Sequence, residues 1–184
     1  MIGKRFLEAL WRNKVRIGVI VVVGAAVGFG TYYGMKHFIY KSHIEGISME
    51  PAMHDGDYAV GIQRERLGEI KRGDIISFIP PVSDDVYVKR VIGLPGETII
   101  LAGGKVYVDR NPEALDEPYL NGEWTEATGP YYFEVPEGKY LVLGDNRNES
   151  FDSRDWDDPY VSYENIMAKT YFTYWPLSHI HYLY

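Results

Sequence analysis

From Ile17 to Met35 the chain runs for 19 residues without a charged side chain, IGVIVVVGAAVGFGTYYGM. As an α-helix this segment is about 28 Å long, close to the roughly 30 Å hydrocarbon core of a bilayer. No polar face interrupts it, so it does not suit burial along one side of a soluble domain. Tyr32 and Tyr33 fall where an interfacial aromatic belt sits, and Lys36 and His37 end the apolar run. Ahead of the span, residues 1–16 carry Lys4, Arg5, Arg12, Lys14 and Arg16 against the single acid Glu8. Such a basic flank stays in the cytoplasm, which puts everything beyond the span outside. A cleaved secretory signal is the competing reading, with Gly24, Ala25, Ala26 and Gly28 as small residues for a cleavage site. A signal's apolar region is about 7–15 residues, shorter than this one, which favours an uncleaved anchor. The expected organisation is a cytoplasmic tail (1–16), a transmembrane helix (17–37) and an extracytoplasmic domain (38–184), single-pass in the cell (plasma) membrane.

The charge balance supports this division. The whole chain carries −7, so with the first sixteen residues at +4 the rest carries −11. An acidic body argues against nucleic acid as a partner. The absence of cysteine excludes a disulfide framework, cysteine metal sites and a thiol nucleophile.

Beyond residue 43 the pattern is short apolar runs separated by turn residues. Eight strands are expected: Tyr58–Gln63, Asp74–Ile79, Val86–Gly93, Thr98–Leu101, Lys105–Val108, Tyr131–Val135, Lys139–Leu143 and Ile166–Tyr174. Asp55-Gly56-Asp57, Pro80-Pro81, Leu94-Pro95-Gly96 and Pro136-Glu137-Gly138 are among the turns between them. The fold class is mainly β, an antiparallel barrel or sandwich, with residues 102–138 as a smaller β excursion. Asp109–Pro130, with three prolines and few apolar residues, reads as a surface segment of that excursion.

Candidate metal chemistry fails on ligand count and spacing. His179-Ile180-His181 would project to one face of a strand, yet no carboxylate is close in sequence, so both read as incidental surface histidines. The acidic run Asp152, Asp155, Asp157 and Asp158 lacks a calcium loop's glycine and has Arg154 at the third position. No cofactor is expected. Asn148-Glu149-Ser150 matches a glycosylation sequon, a pattern that arises often by chance.

Three stretches carry more. Gly46-Ile47-Ser48-Met49-Glu50-Pro51 places a serine beside a glycine that permits close backbone approach; it reads as an ordinary turn or as a nucleophile's seat. In Tyr87-Val88-Lys89-Arg90-Val91, strand periodicity sets Lys89 on one face with Tyr87 and Val91. That lysine either snorkels to water or is desolvated, and only the second would make it a base near neutrality. Gly144 to Arg154 is almost wholly polar after an apolar strand, a solvated acidic loop or one stiffened by internal ion pairs.

Together and in this order, these stretches resemble the sequence boxes of type I signal peptidases, membrane-anchored serine proteases that remove signal peptides from exported preproteins. The resemblance spans nearly the whole chain, adds Gly73-Asp74-Ile75-Ile76 as a fourth box, and fits the smaller Gram-positive forms. It implies Ser48 as nucleophile, Lys89 as general base and Ser150 as the serine that orients the lysine. It further implies Asp145 paired with Arg90, Asp152 paired with Arg154, and the backbone N–H of Ser48 in the oxyanion hole. Gly46 stands where some Gram-negative members carry a second, hydroxyl donor, and Ala52 and Glu149 also depart from the commoner residues. Substrate is expected as an extended strand at the Ile44–Ser48 and Tyr87–Lys89 edges, with Ile44, Met49, Tyr87 and Val88 walling shallow pockets that admit Ala. The implied partners are preprotein signal peptides and the lipid bilayer, in proximity to the secretion translocon, and cleavage follows small residues of the Ala-x-Ala type.

Two other classes share features. A non-catalytic membrane-anchored binding or assembly factor on the same scaffold usually lacks one of the two reactive residues, and both are present here. Self-cleaving repressors use the same Ser–Lys chemistry but are cytosolic, which the uncharged span contradicts.

Overall fold

The computed structural model describes residues 2–120 and 122–183, with side chains from residue 13 onward. Two compact units divide the chain, one up to Phe38 and one from Ile39 on. The first is a single helix, α1 (Ile2–Phe38). Its Asn13–Phe38 portion has mean hydropathy 1.8 with none of it buried, long and apolar enough to cross a membrane. Within it the Thr31 hydroxyl donates to the Val27 and Gly28 carbonyls, which leaves no free side-chain donor on the apolar surface at that position.

The second unit is mainly β and antiparallel throughout. Its larger sheet has the order β1 (Ile39–His43), β2 (Tyr58–Gln63), β10 (Ile166–Trp175), β3 (Ile75–Phe78), β4 (Tyr87–Gly93), β8 (Lys139–Leu143), β9 (Tyr160–Ser162), with β11 (His181–Tyr182) also on β10. A smaller sheet has the order β6 (Lys105–Val108), β5 (Thr98–Ala102), β7 (Tyr131–Glu134). All eight expected strands form, each within a residue or two of its expected ends. The expectation of a barrel needs correction: β1 and β9 are the two ends of an open sheet, not partners of each other.

Burial on both faces places β4 and β8 between two cores. Val91, Tyr140 and Val142 enter one core with Ile76, Phe78 and Trp156. Their neighbours Ile92, Leu141 and Leu143 enter a second core with Ile99, Leu101, Phe133 and Trp124 of the smaller lobe. A strand buried on both faces has no water to offer a charged side chain, and Lys89 and Arg90 both sit on such a strand. A third cluster, Ile44, Met49, Met53, Ala59, Ile75 and Leu183, lies beneath the loop between β1 and β2.

The C-terminal histidines also differ from expectation. His179 lies in a 3-10 turn (Leu177–His179), so only His181 is on a strand. They are not idle: His179 Nδ1 donates to Asp57 at 2.7 Å, and His181 Nε2 donates to the Ala52 carbonyl at 2.8 Å.

Candidate active site

Ser48 rides on the loop Ile44–Asp57, which is closed at its neck by Ile44 N–H to the Asp57 carbonyl and Gly56 N–H to the Ile44 carbonyl. Gly46 takes φ +90°, a backbone state L side chains rarely adopt, and donates its N–H to Asp55. Met49 and Met53, 1% and 0% exposed, plug the loop into the third core cluster. Asp57, fully buried, accepts from the His54 N–H and from His179. Apolar pegs and buried hydrogen bonds together give a turn without regular structure one fixed shape. Among the described residues the Ser48 N–H has no hydrogen-bond partner.

Lys89 reaches Ser48 from β4. Its Nζ lies 2.6 Å from Ser48 Oγ, and the lysine is 4% exposed. Burial pulls its pKa down from 10.5 to about 8; Asp152 and Asp145 oppose that fall and Arg154 adds to it. Of the two fates open to the lysine in the sequence, desolvation is the one observed.

Asp152 is the hub of the loop after β8. It accepts from Gly144 N–H (2.9 Å), from the Ser150 hydroxyl (2.8 Å) and from Arg154 through Nε and Nη2 (2.8 and 2.9 Å). Ser150 therefore sits beside the site but donates to Asp152, and no hydrogen bond joins it to Lys89 among the described residues. Arg90 forks onto Asp145 through Nε and Nη2 at 2.7 and 2.5 Å, with both side chains at most 1% exposed. Burial pushes the Asp145 carboxyl up while the two bonds from Arg90 pull it down. The Asn146 N–H reaches the Ser48 carbonyl at 3.1 Å, which ties this loop to the serine's own backbone.

Residues the sequence reading left as surface also contribute. Tyr119 stacks on the Arg90 guanidinium at 3.9 Å and donates to Glu117, and Glu117 pairs with the buried Arg147 at 2.5 Å. Trp124 lies under both Arg147 and Arg154. The excursion thus folds back over the loop that carries Ser150. Asn148 is spent as well, accepting from Thr125 and Glu126 N–H and donating to the Glu123 carbonyl.

Gly144 stands at the contact between the two loops. A methyl group added there would overlap both the Ser150 hydroxyl and the Ser48 carbonyl. Gly144→Ala is expected to displace Ser48 from Lys89 and lower kcat by about 100-fold, since a misplacement near 1 Å is worth that much. Steady-state kinetics on the folded variant check this, with KM close to wild type.

A cleft of about 740 Å³ opens beside Ser48 and Lys89. Ile44, Met49, Tyr87 and Val88 all line it, as do Ile47, Val86, Phe151, Glu45, Asp85 and Glu149. β4 pairs with β3 over Tyr87–Arg90 but with β8 only from Arg90 onward, so the Tyr87–Lys89 edge lacks a strand on one side. The other expected edge is largely committed: Ile44 uses both backbone groups at the loop neck, and the Ile47 and Ser48 carbonyls accept from Asn146.

Comparison with known proteins bears on this arrangement. Residues 15–175 match the family model of signal peptidase, peptidase S26. The chain belongs to the signal peptidase family. Signal peptidase IB of Staphylococcus aureus (strain MRSA252) is 36% identical over 179 residues, covering 88% of this chain and 91% of that one. The crystal structure of a signal peptidase I from Enterococcus faecalis V583 aligns with TM-score 0.46 and 34% identity, covering 56% of this chain and 97% of that one. Family membership makes the chain a peptidase, and Ser48, Lys89 and the cleft lie inside the matched residues.

Proposed function

We propose that the protein is a membrane-anchored serine endopeptidase that removes N-terminal signal peptides from exported preproteins, cutting after small residues in an Ala-x-Ala pattern. The observation that carries this reading is the 2.6 Å approach of the buried Lys89 Nζ to Ser48 Oγ. With Lys89 neutral, the Ser48 O–H donates to Nζ, and the serine oxygen attacks the scissile carbonyl as its proton passes to lysine. The Ser48 N–H then donates to the oxyanion, and the new ammonium protonates the departing amine. Return of Lys89 to the neutral amine lets it activate the water that hydrolyses the acyl-serine.

Ser150 braces Asp152 directly, and Asp152 and Asp145 act on Lys89 through their negative charge, which favours its ammonium form. The substrate lies extended along the free Tyr87–Lys89 edge, with Ile44, Met49, Tyr87 and Val88 contacting alternate side chains. Residues 1–16 lie in the cytoplasm, 17–37 cross the plasma membrane, and 38–184 act outside, near the translocon. Enzyme and tethered preprotein are then confined to one plane, which raises their effective concentration.

The test is incubation of the detergent-solubilised protein with a purified preprotein, followed by sequencing of the new N-terminus. Cleavage after the last residue of an Ala-x-Ala site is the expected result. Preprotein bound but left whole across a range of pH and detergents would instead describe an assembly factor.

A further inference from the structure

Phe151 is a large apolar side chain held about half exposed, at 51%, on the rim of the cleft. Its backbone is held on both sides by hydrogen bonds of Ser150 and Asp152. Arg154 donates to the Ser150 carbonyl, Ser150 donates to Asp152, and Asp152 N–H donates to Asp155. Behind Phe151 stands Trp156, 6% exposed, which meets Phe151 and Tyr87 edge-on with both ring centroids at 6.4 Å. Edge-on packing at that separation is favourable for aromatic pairs. It joins two walls of the cleft that arrive from different elements, β4 and the loop after β8. The Trp156 indole nitrogen is buried with no hydrogen-bond partner among the described residues.

We propose that Phe151 is a specificity-determining residue and Trp156 its positioning residue. Together with Tyr87 they form a rigid aromatic wall that receives one bulky apolar side chain of the substrate, at a position separate from the small residues flanking the cut. This rests on the reading of the cleft as a peptide site given above. A rigid wall favours a leucine over an alanine by area removed from water, about tenfold in affinity for one well-covered side chain.

The experiment uses the full-length protein in detergent and peptides carrying an Ala-x-Ala site. Alanine is replaced by leucine in turn from the sixth residue before the bond to the third after it. Binding is measured on Ser48→Ala, which leaves the peptide whole, and cleavage is measured on the wild type. One position is expected to show about tenfold tighter binding and lower KM with leucine. Phe151→Ala should erase that preference while kcat on the all-alanine peptide stays within about twofold. Trp156→Ala should erase it too, and Trp156→Phe should restore much of it, through KM rather than kcat. Equal loss on leucine and alanine peptides, or no position with a preference, overturns the proposal and leaves the peptidase reading standing. A leucine preference that needs Phe151, without any cleavage, upholds the wall and overturns the catalytic reading.

Discussion

Lys89→Met is expected to lower kcat/KM at least about 10⁴-fold and, at pH 7, to raise the melting temperature. The first effect follows from removing the group that the proposed mechanism assigns to take the Ser48 proton, since losing one member of a catalytic unit costs about as much as losing all of it. The second follows from burial. A lysine drawn from 10.5 down to about 8 carries roughly 3 kcal/mol of unfavourable free energy when charged. Between those two pH values the unfolded chain holds a proton that the folded chain does not. Folded stability therefore rises with pH through that window, and the full penalty is present below about 8. Methionine removes the charge and keeps the stem; loss of the Nζ–Oγ hydrogen bond returns about 1 kcal/mol, which leaves a gain of several degrees. Ser48→Ala is expected to match the loss of activity without the gain in stability. In the wild type, kcat/KM should rise with pH to half its maximum near 8 as one proton leaves. Calorimetry and a pH–rate profile check both arms. A destabilised Lys89→Met would mean the lysine sits there as a satisfied structural charge, and an acid limb near 10 would mean it is not desolvated in solution.

Asp145→Ala is expected to destabilise the domain by about 3–5 kcal/mol. The guanidinium of Arg90 and the carboxylate of Asp145 are 1% and 0% exposed, so removing the carboxylate takes from the buried Arg90 charge the two bonds that Asp145 supplies. The Gly73 carbonyl and the Tyr119 ring still face Arg90, but neither carries a compensating charge. The paired change Arg90→Met with Asp145→Leu should recover most of the loss, because an apolar pair of similar size escapes desolvation altogether. Urea denaturation midpoints for the three proteins provide the measurement. If the double variant is no better than Asp145→Ala, the pair matters for its shape and not for its charge. Activity should fall in both variants, since Arg90 is the strand neighbour of Lys89.

Much of this was legible in the sequence where one residue and its immediate neighbours decide the outcome. Turn residues bracket the eight expected strands, and β2, β6 and β8 have the expected ends. The missed strands are β1, which follows the helix without a turn signal, and β9 and β11, which span three and two residues. Strands so short are made by their partners and leave no periodic trace. The spacing Asp-x-Arg in residues 152–154 already suggested an internal pair. What could not be read was anything set by the return of a distant segment. Glu117, Tyr119 and Trp124 sit among prolines and acids, and only the fold of the smaller lobe brings them onto Arg147 and Arg90. The grip of His179 and His181 on the Ser48 loop, across more than 120 residues, is likewise a product of β10 and β11. A weak signal existed there: two of the five histidines stand together at 179 and 181.

The place of β10 has a bearing on when the molecule becomes active. Ser48 follows β1 and Lys89 lies on β4, yet β2 and β3 do not pair with each other; β10 lies between them. That strand is synthesised after both Ser48 and Lys89, and the segment beyond it supplies Leu183 beneath the Ser48 loop. A nascent chain that has delivered Ser48 and Lys89 but not Ile166–Trp175 holds both groups without the strand that sets them 2.6 Å apart. On the proposed mechanism, proteolytic competence therefore waits for β10 to be made and to pair between β2 and β3.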